Sequence, residues 1–281
     1  MRGDIPGLLQ TVYLVLMAGL LAFFVVWEAG SPRYAFSSND ARRRHLLRHA
    51  GLFVLLLIAS NVLLAYVPAA LKSLSLDGPS TAFTGLSVGL AMQVVLGVLI
   101  LDCYEYLWHR ACHRVPWLWR LHRVHHADTH IDFSTGMRFH PIENLASLVV
   151  KVLLLSALGL PLWIEAVRIL ANNPAAFAQH ANVVFPAWVE RWPRWLVITP
   201  ELHRVHHSID PAHYDRNFGE LFSFWDRCFG TLLEPSKSVE HVGLPGYRDS
   251  RWHTLAGMLA MPWKPIDAAP AGYTSTRSTP P

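Results

Sequence analysis

Apolar residues run along this chain in long, nearly unbroken blocks rather than in the one-faced or alternating patterns of a soluble domain. Leu8–Trp27, Gly51–Ala70 and Ala82–Leu101 are each about 20 residues long, the length a helix needs to cross a hydrocarbon core about 30 Å thick. A fourth block, Leu145–Ala171, is broken by Gly159-Leu160-Pro161. The pattern predicts an all-α integral membrane protein with about four transmembrane helices or hairpin segments.

Charge sets the expected orientation. The connection from Glu28 to Ala50 carries Arg33, Arg42, Arg43, Arg44 and Arg48, whereas Leu71–Thr81 offers Lys72 and Asp77. The arginine-rich side is the cytoplasmic one by the positive-inside rule. Residues after Leu101 then also lie inside, in keeping with Arg110, Arg114, Arg120, Arg123 and Arg138. The N-terminal block has no small-residue exit and reads as a retained helix rather than a cleaved leader. Phe185–Pro200 interleaves Trp188, Trp192 and Trp195 with Arg191 and Arg194, a mixture that suits the headgroup layer as well as a tryptophan-rich core loop.

Composition agrees: 52% of residues are hydrophobic and 16% are charged. The net charge of +4 comes from arginines flanking apolar runs, which fits membrane topology and gives no reason to expect a nucleic-acid partner. Cys103, Cys112 and Cys228 have no zinc-site or redox-pair spacing and read as free thiols in a reducing compartment. Histidine is the unusual residue, with 16 copies, most of them bunched.

Four stretches carry the candidate chemistry. His109-x-x-x-His113 continues the third apolar block, so both rings share a helical face. His122-x-x-His125-His126 also places its rings on one face of a helix. His180 stands alone, and His203-x-x-His206-His207 repeats the second cluster. The repeat extends over Leu121-His122-Arg123-Val124-His125-His126 and Leu202-His203-Arg204-Val205-His206-His207, which suggests two half-sites facing each other. Any one histidine is more often structural than ligating. Three neutral rings on one face, met twice, are accounted for directly by metal. Nine imidazoles exceed the need of one ion and fit two, with four or five ligands each. Glu105, Asp102, Asp128 and Glu201 stand where they could accept the second ring N–H of a ligand, or pair with nearby arginines. Ligands must meet within a few ångströms, so the fourth block must bend at Gly159–Pro161, or tilt back, to keep His180 and the second repeat on the side of the first.

These motifs resemble the eight-histidine signature of the fatty acid hydroxylase/sterol desaturase superfamily. The resemblance extends to Arg138-Phe139-His140-Pro141-Ile142-Glu143, His180-Ala181-Asn182, Asn217-Phe218-Gly219 and Trp225-Asp226-Arg227-Cys228-Phe229-Gly230-Thr231, and runs from about Asp102 to Leu233. It implies a membrane anchor under a cytoplasmic, histidine-rich helical cap, a centre of two iron ions, and O2-dependent hydroxylation or desaturation of a lipid C–H bond. The lipid could be a sterol, a fatty acyl chain or another class. Relatives of this kind usually carry a further histidine four residues before the position of His180; here it is Ala176. His140 is the candidate stand-in, and Asn182 a further ring partner or ligand. The expected division is an anchor over 1–101, a catalytic region over 102–233 including a membrane hairpin at about 145–171, and a tail over 234–281 that is flexible beyond Met261. The setting implied is a bacterial inner membrane or an endoplasmic reticulum.

Substrate would arrive from the bilayer along Trp117, Trp119, Phe133 and Trp163, residues that core packing explains equally well. The chain has no haem-attachment motif, dinucleotide fingerprint or iron–sulfur cysteine set, so a separate reductase or small electron carrier is expected. Two other readings compete: a zinc-dependent membrane hydrolase, and a non-enzymatic metal- or haem-binding membrane protein. Zinc sites use three or four ligands, fewer than are present. Transport sites sit at the midplane of spans, whereas the three clear apolar blocks contain no histidine.

Overall fold

The computed structural model describes residues 5–73, 82–234 and 239–265, and among them the architecture is helical, with only isolated bridges and no named strand. The first three apolar blocks become α1 (Ile5–Gly30), α2 (Asn39–Ser73) and α3 (Leu90–Arg114). Helix α2 begins earlier than its apolar block because no Gly or Pro interrupts Asn39–Ala50, so Arg42 to His49 are helical rather than a loop. Helix α3 begins later than expected: Gly85 and Gly89 punctuate residues 82–89, which form a turn. Most of the expected connection Leu71–Thr81, Asp77 included, and the tail beyond Pro265 lie outside the described residues.

Among the described residues, four helices are long and apolar enough to cross a membrane: Tyr13–Gly30, Asn39–Val67, Leu90–Arg114 and Pro141–Leu158. Their surfaces are apolar where they face outward. Val15, Val26, Ile58, Val62 and Val95 are all more than half exposed. Apolar area on that scale faces another apolar medium rather than water.

Helix α3 runs without a break from its apolar part into His109 and His113. It stops before Pro116, which opens α4 (Pro116–His126) from the first helical position. The fourth block folds as α5 (Pro141–Leu158) and α6 (Leu162–His180), joined at Gly159, whose φ of 67° is the left-handed conformation that glycine adopts without penalty. The two ends of this unit meet. Glu143 in the first turn of α5 contacts His122 at 2.7 Å, and His180 at the end of α6 contacts His203 at 2.8 Å. The block is a hairpin that returns to its starting side.

Helices α3, α5 and α6 are tied together by a charge quartet in which Arg168 is buried and the other three side chains are partly exposed. Lys151 pairs with Glu105 and, at 2.9 Å, with Glu165; Arg168 pairs with Glu105 at 3.0 Å and Glu165 at 2.7 Å. The expected role of Glu105 as a histidine partner is therefore corrected: its carboxylate is spent on two cations.

Beyond α6 come the short α7 (Ala187–Arg191) and α8 (Pro200–His206). Trp188, Trp192 and Trp195 are each more than 60% exposed there. Residues 239–265, expected to belong to a tail, are packed. Leu244, Tyr247, Trp252, Met258 and Met261 form a core with Leu52, Val124 and Ala127. Their short helical turns have no periodicity long enough to announce them. Phe133, expected on a substrate path, is buried against Phe24 and Phe177. The three cysteines are free.

Candidate metal centre

The structure brings all nine singled-out histidines together, in two groups. His109, His113, His122, His126 and His206 form one, and His125, His180, His203 and His207 the other; within each group the ligand atoms lie within 4.8 Å of one another. The two LHRVHH segments exchange ligands between the groups. Their first and last histidines (His122 and His126, or His203 and His207) serve one group, and the middle one (His125 or His206) reaches into the other. The alternation follows from helix geometry, since neighbouring positions at i+3 and i+4 diverge by about 100° around the axis. The arginines inside the two repeats hold matching posts. Arg123 donates to the carbonyls of Met261 and Lys264, and Arg204 to those of Val239 and Glu240.

Five of the outward ring nitrogens meet acceptors. The Nδ1–H of His109 donates to the Phe218 carbonyl (2.9 Å), that of His206 to Arg216 (2.7 Å), and that of His180 to Ala176 (2.7 Å). His122 donates to Glu143 Oε1 (2.7 Å), and His113 faces Asp215 Oδ1 at 3.3 Å. In each of these rings Nε2 is left as a lone pair aimed inward.

Some inward atoms have no donor to meet. Nε2 of His109, His122 and His206 is buried without a hydrogen-bond partner. Other Nε2 atoms face one another: His113 and His126 at 3.1 Å, His180 and His203 at 2.8 Å, His203 and His207 at 3.1 Å, His125 and His180 at 3.3 Å. Each of these pairs can be joined either by one ring N–H or by a cation held between the two nitrogens. Metal–imidazole bonds of about 2.1 Å place adjacent ligand atoms roughly 3.0–3.4 Å apart, which matches these separations. The residues present fit two metal ions.

Burial keeps the rings neutral. It holds His125, His126, His203 and His207 well below the ordinary imidazole value, with the neighbouring rings adding to the effect. Burial lowers His180 to about 4 and His206 to about 3. Below the unfolded value near 6.5 the unfolded chain takes up protons that the folded rings refuse. Metal-free protein is therefore expected to have its full stability above about pH 6.5 and to lose it progressively toward pH 4. His180 alone accounts for roughly 3 kcal/mol over that range. Melting temperatures in detergent across this window test the trend; an unchanged melt at pH 5 would contradict it.

Several expected partners lie elsewhere. His140 is not brought to either group: it caps α5, its Nδ1 accepting from Ile142 N–H at 3.3 Å and its Nε2 facing the Leu259 carbonyl at 3.3 Å. Asn182 bonds the backbone of Tyr34. Glu201 pairs with Arg33, and Asp128 with Thr135 and Arg138. Asp102 accepts from the N–H groups of Leu221 (3.2 Å) and Phe222 (3.3 Å) and from Trp225 Nε1 (2.9 Å).

The ring partners that sequence reasoning missed are Glu143, Asp215 and three backbone carbonyls. A signal for two of the carbonyls was present in the Asn217-Phe218-Gly219 and Trp225-Asp226 motifs. Asp226 accepts from the N–H groups of Phe218 and Gly219. Asn217, at a φ of 56°, bonds the backbone of Leu202 and Leu233. The turn they build aims the carbonyls of Arg216 and Phe218 at two rings. Gly219 is required there, since a Cβ would come within 2.5 Å of the Phe222 carbonyl. Glu143→Gln replaces the anionic acceptor on His122 by a neutral amide. It is expected to lower metal affinity or turnover about 10- to 100-fold, measured by metal competition with a chelator.

Residues 94–231 match the fatty acid hydroxylase family model. An ornithine lipid hydroxylase, OlsE, of Rhizobium tropici is 34% identical over 163 residues, covering 56% of this chain and 47% of that protein. Alkylglycerol monooxygenases are also similar. The protein from Caenorhabditis elegans is 33% identical, covering 47% of this chain and 25% of its own length. The one from Danio rerio is 33% identical as well, covering 51% and 31%. The chain thus spans about half the length of the first relative, or less for the other two. No solved structure matches it.

Proposed function

We propose, proceeding from the membership of the chain in the fatty acid hydroxylase/sterol desaturase superfamily through residues 94–231, that it is an O2-dependent, di-iron membrane oxidoreductase that hydroxylates a lipid C–H bond. The observation that carries this reading is the convergence of nine buried imidazoles into groups of five and four. A pair of irons held there would supply the activation of O2 and the removal of hydrogen from an unactivated carbon.

The remaining work belongs to the chain. His109, His113, His122, His126 and His206 would hold one iron, and His125, His180, His203 and His207 the other. Carbonyls at 176, 216 and 218, with Glu143, fix the tautomers of His180, His206, His109 and His122 and keep their Nε2 atoms directed inward. Phe139 stacks on His125 at 4.3 Å, and Phe218 packs edge-on against His109, His113 and His206. These rings wall the centre with apolar surface and keep water from it. The group of four has one imidazole fewer: Ala176 stands four residues before His180, where His109 stands four before His113.

The names of the relatives, an ornithine lipid hydroxylase and alkylglycerol monooxygenases, support a membrane lipid as substrate. The exposed tryptophans of 188–195 suit the headgroup layer on the side of the metal centre, which we assign to the cytoplasm from the arginine distribution. Electrons would come from a separate reductase or small carrier. Lipid mass spectrometry of cells producing the wild type or His203→Ala tests the reading. A lipid class gaining one oxygen atom only with the wild type is expected. Loss of two hydrogens would mark desaturation, and no change would count against both. Metal analysis separates the hydrolase reading: zinc in both groups, with full activity and no O2 uptake, would favour it.

A further inference from the structure

A second constellation of ligating side chains lies outside the nine histidines. His45 and His49, one turn apart on α2, face Asp128 and Asp132 in the connection that follows α4. His45 Nε2 is 3.5 Å from Asp132 Oδ2 and 3.7 Å from Asp128 Oδ2, and His49 Nε2 is 3.8 Å from Asp128 Oδ2. His49, Asp128 and Asp132 are at most 1% exposed. His45 Nε2 and Asp132 Oδ2 are buried without a hydrogen-bond partner.

The local hydrogen bonds decide which atoms face inward. Ser134 Oγ donates to Asp132 Oδ1, so it accepts at 2.8 Å from His49 Nδ1–H. That leaves His49 Nε2 as a lone pair, facing the Asp128 carboxylate. Asp128 turns Oδ1 toward Arg138 at 3.5 Å and keeps Oδ2 toward the imidazoles. Arg138 also approaches His49 Nε2, at 3.2 Å. Glu28, 2% exposed, adds a third carboxylate with an unpartnered Oε2. Of these carboxylates Asp128 faces the guanidinium and Asp132 the His45 imidazole, an acidic setting that suits a divalent cation.

We infer that His45, His49 and Asp132 form a third metal site, holding one divalent cation of the zinc class in a two-nitrogen, one-oxygen set beside Asp128. Tetrahedral bonds of about 2.0–2.1 Å separate ligand atoms by roughly 3.4 Å, close to the 3.5 Å between His45 Nε2 and Asp132 Oδ2. Two of the ligands come from α2, outside the segment matched by the family model, which begins at residue 94. The third, Asp132, lies six residues after His126. The cation would staple the anchor helix to the chain just beyond the first LHRVHH segment, a structural role independent of the hydroxylase reading.

The test is metal stoichiometry of the purified full-length protein, stripped by chelator, reloaded with zinc and desalted. The wild type is expected to retain three zinc ions per chain, and both Asp132→Asn and His45→Gln two. The double variant His125→Ala/His206→Ala, which disables the nine-histidine groups, should still hold the third. Cobalt in place of zinc provides the second readout: the double variant should show tetrahedral visible absorption, absent once Asp132→Asn is added. A wild type whose metal content is unchanged by Asp132→Asn overturns the proposal, however many ions it retains. Loss of metal by the double variant alone bears on the hydroxylase centre instead, and the cobalt spectrum tells the two failures apart.

Discussion

His125→Ala is expected to deplete the ion of the four-imidazole group and abolish turnover. His122→Ala, one turn earlier on the same helix, is expected to deplete the ion of the five-imidazole group. Both activity losses should exceed about 100-fold, the upper range seen when only an outer partner of a ligand is removed. The contrast follows from the exchange of middle histidines between the repeats, and His206→Ala should reproduce the His122 phenotype although it lies on the other repeat. Metal-selective spectroscopy of the single variants checks the pairing. If His125→Ala and His126→Ala deplete the same ion, the assignment of ligands to groups is wrong.

Asp102→Ala should be among the most destabilising substitutions outside the ligand set. The carboxylate is fully buried and accepts three hydrogen bonds, from Leu221, Phe222 and Trp225. Each buried donor left unpaired costs about 1–3 kcal/mol, so a loss on the order of 3 kcal/mol or more is expected in thermal or denaturant unfolding. The folded fraction should keep its metal. Lost metal with an unchanged melting profile would instead return Asp102 to the role of a ring partner.

The outline of both fold and site was legible because two strong periodicities govern them. Bilayer thickness imposes the length of apolar blocks, and helix geometry imposes the i, i+3, i+4 spacing of the histidines. The hairpin at Gly159–Pro161 followed from requiring that ligands meet, and Gly159 supplies the bend. The partners of the rings were less legible. Glu105 and Asp102 lie in register with His109 along α3, but register around a helix does not say what packs against that face. Lys151 and Arg168 claim Glu105, and the turn over residues 217–222 claims Asp102. Three ring partners are backbone carbonyls, which leave no mark on side-chain identity. His140 was drawn toward the metals by its residue type, whereas its place just before Pro141 makes it a helix cap. The packing of residues 239–265 was hidden for a related reason: short turns rich in Gly and Pro, assembled by contacts from distant parts of the chain, show no repeating pattern.

The charge quartet bears on how the protein is made. A lone lysine or arginine at the centre of a helix adds about 2.5–3.5 kcal/mol to the cost of membrane insertion. Helix α5 on its own would present Lys151 to lipid, and α6 would carry both Glu165 and Arg168. Delivered together, with the hinge at Gly159 still close to the translocation machinery, the two segments neutralise each other before either meets hydrocarbon. Biogenesis is then favoured as a paired event against an α3 already seated, with Glu105 waiting as the remaining counter-charge.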